Sequence, residues 1–349
     1  MGLRALANRF LRLASFIKTG LFIAITVAPL AAQVPQPVPP INGSSAAARG
    51  SFFPPLYYTA AVNAYKSQEL ARPAWAPDAA EAALQAQNQR DRISILLNND
   101  ILAFYGHPLS RQMGILGRYS IPELDARLTR LAEEYRAASG GRDVRKAFYI
   151  IYGTVWPKGE IGIIKESVLQ EYIQYALKKD ILVFIDHQIG RYEPVAALRK
   201  ILPYLKYPNV HLALDPEWRT TKPMREIGTV SAAELNEIQR IMEAYIIENK
   251  IPGERMLVIH QFNWRMITNR EQVSSRFERV RLVHCADGFG PPHLKRGSYA
   301  FNAQAVNMPV KGFKLFYNFN IPGAGYDNPL LTPKEVYGLN PRPYLIMYQ

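Results

Sequence analysis

Residues 211–218 read HLALDPEW. Leu212, Ala213 and Leu214 run straight into Asp215, Glu217 and Trp218. An isolated buried charge costs several kcal/mol, so a stretch composed for burial that ends in two carboxylates beside a large ring needs a reason. The same junction recurs along the chain, and its recurrence decides the reading.

Eight short aliphatic or aromatic runs follow one another from residue 101 onward: ILAFYG (101–106), KAFYIIYG (146–153), ILVFID (181–186), VHLALD (210–215), RMLVIHQ (255–261), VRLVHCAD (280–287), FKLFYNF (313–319) and PYLIMY (343–348). Each has strand length, is rich in β-branched or aromatic residues and does not alternate cleanly, which is how strands buried on both faces read. Between them lie helical segments. PELDARLTRLAEEYRAA (122–138) spaces Leu124, Leu128 and Leu131 on one face, and 165–179 and 231–249 behave likewise. The helix at 194–204 is short, and the connection after the sixth run reads as mostly irregular. Eight strands joined by crossovers over about 250 residues predict a single (β/α)8 barrel of the TIM type. An open doubly wound sheet is the alternative, and no glycine-rich phosphate loop supports it.

The chain has 349 residues, 48% hydrophobic and 20% charged, enough apolar mass for one large barrel or two small domains. Its first 32 residues read as a secretory signal: Arg4, Arg9, Arg12 and Lys18 precede the apolar run LFIAITVAPLAA, and Ala32 is the candidate last residue before cleavage. The run is short for a membrane span; an uncleaved signal anchor is the alternative, and would be the chain's only link to a membrane. Residues 33–77 form a Pro/Ala-rich arm opened by VPQPVPP, and 78–349 the catalytic barrel. Within the latter, 78–99 has helix-forming composition with Asp78 as N-cap, and could cover the gap left because no helix follows the eighth run. The formal charge is +13, of which the leader carries four, leaving +9. The cations are scattered singly; such a field attracts nucleic acid or an anionic cell-surface polymer without choosing between them, and for an exported chain solubility is the preferred reading, with no nucleic-acid partner expected. The lone Cys285 excludes an intrachain disulfide and reads as a small buried hydrophobe.

In such a barrel the carboxyl ends of the strands face the active-site mouth. There the sequence places His107, then Asp186, His187 and Gln188, then Asp215 and Glu217, then His260 and Gln261, then Asp287, and finally Tyr317 and Asn318. His211 opens its strand at the opposite end and reads as structural. Asp215 and Glu217 share parity with Ala213, so if Leu212 and Leu214 face the helices the carboxylates face the lumen. Pro216 keeps Asp215 extended. Two neighbouring carboxylates oppose each other's ionisation, which raises one pKa and makes a general acid. Trp156, Trp218, Trp264, Phe262, Phe289 and Phe319 also lie near run ends, and aromatic faces beside polar groups suit sugar rings.

An Asp-x-Glu at a fourth strand end in an exported barrel resembles the TIM-barrel glycoside hydrolases, and is similar to part of the family 18 chitinase signature. The resemblance implies that Glu217 protonates the glycosidic oxygen and Asp215 assists. The upstream aspartates of that signature are Leu212, Ala213 and Leu214 here.

The expectation is therefore a secreted or periplasmic glycosidase-like hydrolase acting on a carbohydrate polymer or oligosaccharide, with no cofactor. Glu217 is the acid/base, and Asp215, Asp287 or Asp186 the second carboxylate. His107, His187, Gln188, Trp218, His260, Gln261, Trp264, Tyr317 and Asn318 are the candidate substrate contacts. Two alternatives stand beside it. One is a metal-dependent hydrolase using His107, Asp186, His187, Asp215, His260 and Asp287 as ligands, without any tight ligand spacing. The other is a non-catalytic carbohydrate-binding barrel.

Overall fold

The computed structural model describes residues 94–349. The expected signal segment, the arm and positions 78–93 of the expected helix lie outside these residues. Apart from Asn320–Ala324, the described residues form one compact unit.

Eight parallel strands close on themselves: β1 (Asn99–Gly106), β2 (Asp143–Val155), β3 (Leu182–Gln188), β4 (Val210–Asp215), β5 (Arg255–Gln261), β6 (Val280–Ala286), β7 (Lys311–Leu315) and β8 (Leu345–Tyr348). Each pairs with its sequence neighbours, and β1 closes the ring by pairing both β2 and β8, with Ile101 opposite Leu345 and Asn99 opposite Asp143. This is the (β/α)8 barrel, and each strand overlaps one of the eight runs, although the seventh strand ends at Leu315 and leaves residues 316–319 of its run in the following loop. A short strand, Ile161–Ile163, folds back antiparallel on the end of β2.

Six α-helices lie between strands: α1 (Ile121–Ala138), α2 (Glu166–Lys178), α3 (Pro194–Ile201), α4 (Ala232–Glu248), α5 (Pro292–Ala303) and α6 (Pro333–Tyr337). Ser120 with Glu123, and Ser231 with Glu234, form capping boxes that start α1 and α4. The expected helix 194–204 is α3 followed by a 3₁₀ turn, Leu202–Lys206.

Two connections differ from expectation. The segment after the sixth run carries α5, while residues 262–279 after the fifth hold only 3₁₀ turns and a two-residue strand. The α5 sequence PHLKRGSYAFNA buries Lys295 and Asn302 beside Tyr299, so its inward face is too polar to show the apolar spacing of a helix. In the 78–99 segment, Ile95–Leu97 is a single 3₁₀ turn capped by Ser94, and Asn99 already belongs to β1.

Alternate residues of each strand separate two layers. Leu102, Phe104, Phe148, Ile150, Val183, Ile185, Leu212, Leu214, Leu257 and Ile259 pack with the helices. The opposite parity fills the lumen, where His211, Phe184, Tyr149 and Tyr105 follow one another at ring separations of 5.1, 5.1 and 5.3 Å. His211 sits at the amino-terminal end of this stack and accepts the Met256 N–H at 3.1 Å. At that end of the barrel arginines bond to chain carbonyls. Arg142 reaches Leu96, Leu97 and Asn99 at 2.7–2.9 Å as well as Asp100, Arg279 reaches Ile251 and Gly253, and Arg342 reaches Ser139.

Candidate active site

At the carboxyl ends of the strands, lumen parity brings together Asp186 from β3, Asp215 from β4, His260 from β5, Lys314 from β7, Tyr105 from β1 and Tyr149 from β2, with Asp287 one residue beyond β6. All are buried. Glu217, in the 3₁₀ turn Pro216–Trp218, is partly exposed at the rim of this group.

His260 is held on both sides. Its Nδ1 lies 3.0 Å from Asp287 Oδ2, and its Nε2 lies 2.7 Å from the Tyr149 hydroxyl and 4.0 Å from Asp186 Oδ2. Lys314 Nζ pairs with Asp287 Oδ1 at 3.1 Å and sits 3.8 Å over the Tyr105 ring. The Tyr105 hydroxyl donates to Asp186 Oδ2 at 3.1 Å, while Asp186 Oδ1 has no partner among the described residues. Asp215 Oδ1 accepts the backbone N–H of Glu217 at 3.2 Å, which pins the turn.

Burial and charge then sort the four carboxyls into two kinds. For Asp287, burial opposes ionisation, but Lys314 and His260 outweigh it and leave the pKa at about 2. Burial likewise opposes charge on His260 and Lys314, yet Asp287 above all holds both above their ordinary values. Asp215, raised by burial and by Asp186 and Asp287, reaches about 7. Glu217, raised by burial and then by Asp215 and Asp287, reaches about 8. Asp186 is raised too, chiefly by burial. Two cations facing four carboxyls is neutral when two carboxyls keep their protons, so the cluster stores acid at neutral pH.

Several sequence candidates lie elsewhere. His187, one residue past Asp186, has the opposite parity; its ring packs 5.7 Å from Tyr152 in the outer layer, in space that a side chain at Gly153 would fill. Gln188 is spent on the N–H of Val155 at 2.7 Å. Gln261 also faces outward, accepting from His284 Nε2 at 2.8 Å next to buried Lys311. His107 Nδ1 accepts the Leu109 N–H of its own loop. Tyr317 packs on Tyr348 and Phe319, and Asn318 and Trp264 are exposed, the latter by 64%. Trp218 is half-buried beside Glu217.

Lys314, Tyr105 and Tyr149 are the residues of this candidate site that the sequence reading missed. Their signal was parity: in FKLFYNF, Lys314 alternates with the core residues Phe313 and Leu315. Among the described residues no group of three or more His, Cys, Asp or Glu side chains is disposed to hold a metal ion.

No protein-family model matches this chain, and no curated protein matches it in sequence. Solved structures similar to it include an oxaloacetate acetylhydrolase in complex with oxalate, at 12% identity over 74% of this chain and 75% of that one, with a TM-score of 0.41. A family 18 chitinase from Crocus vernus is similar at 8% identity over 71% and 92%, with a TM-score of 0.40. The catalytic module of a family 98 glycoside hydrolase from Streptococcus pneumoniae is similar at 10% identity over 74% and 48%, with a TM-score of 0.37.

Proposed function

We propose that this chain is an exported glycoside hydrolase that cleaves a cell-envelope or extracellular polysaccharide, with Glu217 as the general acid. The observation that carries the reading is the contrast between Glu217 and Asp287. Glu217 stands at the rim, has no side-chain hydrogen bond among the described residues and keeps its proton up to about pH 8. Asp287 is a fixed anion clamped by Lys314 and His260. A carboxylic acid kept neutral at neutral pH is what protonation of a leaving glycosidic oxygen requires.

Asp215, two residues earlier, then serves as the partner carboxylate. As Glu217 gives up its proton, the anion formed is opposed by Asp215 and Asp287 and drawn by Lys314 and His260. The acid therefore has a reason both to release its proton and to recover it. Oxocarbenium-like charge on the sugar is stabilised by the same carboxylates. Export rests on the basic-then-apolar leader over residues 1–32.

Glu217→Gln tests the assignment: turnover of a polysaccharide substrate falls while binding persists. Full turnover in that variant removes Glu217 from the chemistry, and binding without turnover in the parent protein leaves a carbohydrate-binding barrel. The anomer first released, followed by NMR, reports retention or inversion and so the role of the second carboxylate.

A further inference from the structure

The exposed large aromatic side chains of the described residues, Trp156, Tyr192, Trp264, Phe289 and Tyr326, all lie on segments that follow the carboxyl end of a barrel strand. Cations are set among them. The guanidinium of Arg265 lies 5.2 Å from the Trp264 ring, that of Arg191 5.6 Å from Tyr192, and that of Arg118 3.7 Å from Phe319.

Both rims carry exposed cations, and at the mouth Arg191, Arg219 and Lys222 are ion-paired with Glu160, Glu193 and Glu226. At the amino-terminal rim Arg142, Arg279 and Arg342 bond to main-chain carbonyls and so are structural. At the mouth, Arg111, Arg118, Lys158, Arg225 and Arg265 make no ion pair and no side-chain hydrogen bond among the described residues. Arg118 Nε is buried without a partner. Burial and the neighbouring charge of Arg111 both push the Arg118 pKa down, which marks two like charges left side by side. The Arg118 guanidinium stacks on Phe319, while Arg111 is exposed.

Resting on the reading above, we infer that the substrate is an acidic polysaccharide, bearing carboxylate or sulfate groups, whose sugar rings lie on the aromatic rim and whose anions meet the unpaired guanidinium groups. A guanidinium fork matches a carboxylate or sulfate in two parallel hydrogen bonds, and an aromatic face matches the C–H face of a pyranose. The reacting centre tolerates such a substrate, because its two buried cations and its retained protons cancel the carboxylate charge.

Affinity electrophoresis of the full chain through gels holding polygalacturonate, heparin or neutral dextran tests this. The two acidic polymers separate a carboxylate preference from a sulfate preference. Retardation is expected with at least one acidic polymer and not with dextran. It should weaken by about tenfold as salt is raised from dilute buffer to about 0.5 M, where the screening length shortens to a few ångströms. Arg111→Gln combined with Arg265→Gln should abolish most of it, whereas Lys179→Gln with Lys250→Gln, the same charge change among exposed residues at the other rim, should not. Equal retardation by dextran, equal loss in both double variants, or tighter binding to double-stranded DNA than to either acidic glycan would each overturn the inference. Binding of an acidic glycan that no form of the protein hydrolyses defeats the hydrolase reading alone. Glu217-dependent cleavage of neutral glycans only defeats the substrate class alone.

Discussion

Replacing Asp215 by Asn should make the protein more stable at neutral pH and flatten the dependence of its stability on pH. Asp215 is fully buried with a folded-state pKa of about 7, against about 3.9 for an unfolded chain. Between those values the folded state binds the extra proton, so stability is greatest below pH 4 and is lost as the pH climbs toward 7. About three pKa units correspond to about 4 kcal/mol of differential interaction. Coupling to Asp186 and Glu217 spreads that loss over three groups, so a single substitution recovers about 2 kcal/mol of it. The Asn side chain keeps an oxygen to accept the Glu217 N–H that Asp215 now accepts, so the turn survives. Urea unfolding at pH 4, 6 and 8 measures the effect. Parent and variant should agree near pH 4 and diverge by about 2 kcal/mol at pH 8, with the variant the more stable. Parallel curves, or a variant weaker at every pH, would refute the view that this carboxyl is held against its preferred ionisation.

Other outcomes follow from the same geometry. Glu217→Gln should reduce turnover by about 10²–10⁴-fold, the usual contribution of a general acid, with the dissociation constant for substrate little changed. In the parent protein, turnover should fall as pH rises through about 8, where Glu217 loses its proton. Asp215→Asn removes a charge that raises Glu217, so that alkaline limb should move to lower pH, and an unmoved limb separates the two groups. Lys314→Met should destabilise by about 3–5 kcal/mol, because it leaves Asp287 buried beside only one cation. Adding Asp287→Leu should return some of that loss in a denaturant titration, as a coupled pair requires. Trp264→Ala should leave stability within about 0.5 kcal/mol, since the side chain is exposed, while weakening polysaccharide binding.

How far the sequence discloses this site depends on which physical rule is used. Run length and composition give all eight strands, because a parallel strand covered on both faces has no choice but to be apolar throughout. They give the rim on which Asp186, Asp215, Glu217, His260 and Asp287 stand, because strand direction alone decides it. They do not decide which residues at a strand end turn inward. His187 and Gln261 follow Asp186 and His260 directly, and adjacent residues of a strand cannot both enter the lumen. Gln188 has lumen parity, and only the backbone of β2 shows that its carbonyl is already bonded. The α5 helix was hidden for a related reason. Lys295, buried in it, donates to the carbonyls of Gly288 and Lys314 and lies 3.3 Å from Asp327, so a polar residue occupies the position where periodicity looks for an apolar one.

The junction in HLALDPEW can then be understood as two opposed demands met by one topology. A carboxyl that must stay protonated near neutral pH has to be buried or crowded by like charge, and both conditions cost stability. Lumen parity supplies the burial for Asp215, and the turn at Pro216 lifts Glu217 to the rim, where a substrate can reach it. The crowding is balanced from across the barrel. Lys314 and His260, on strands three and one removed from β4, hold Asp287 ionised, and their positive field keeps the rest of the cluster from becoming an array of uncompensated acids. A lysine and a histidine in the lumen of a barrel would each be a liability alone. Paired with Asp287 they set a fixed charge against which Asp215 and Glu217 can gain and lose a proton, and that difference between anchored and exchangeable carboxyls is what the proposed acid catalysis draws on.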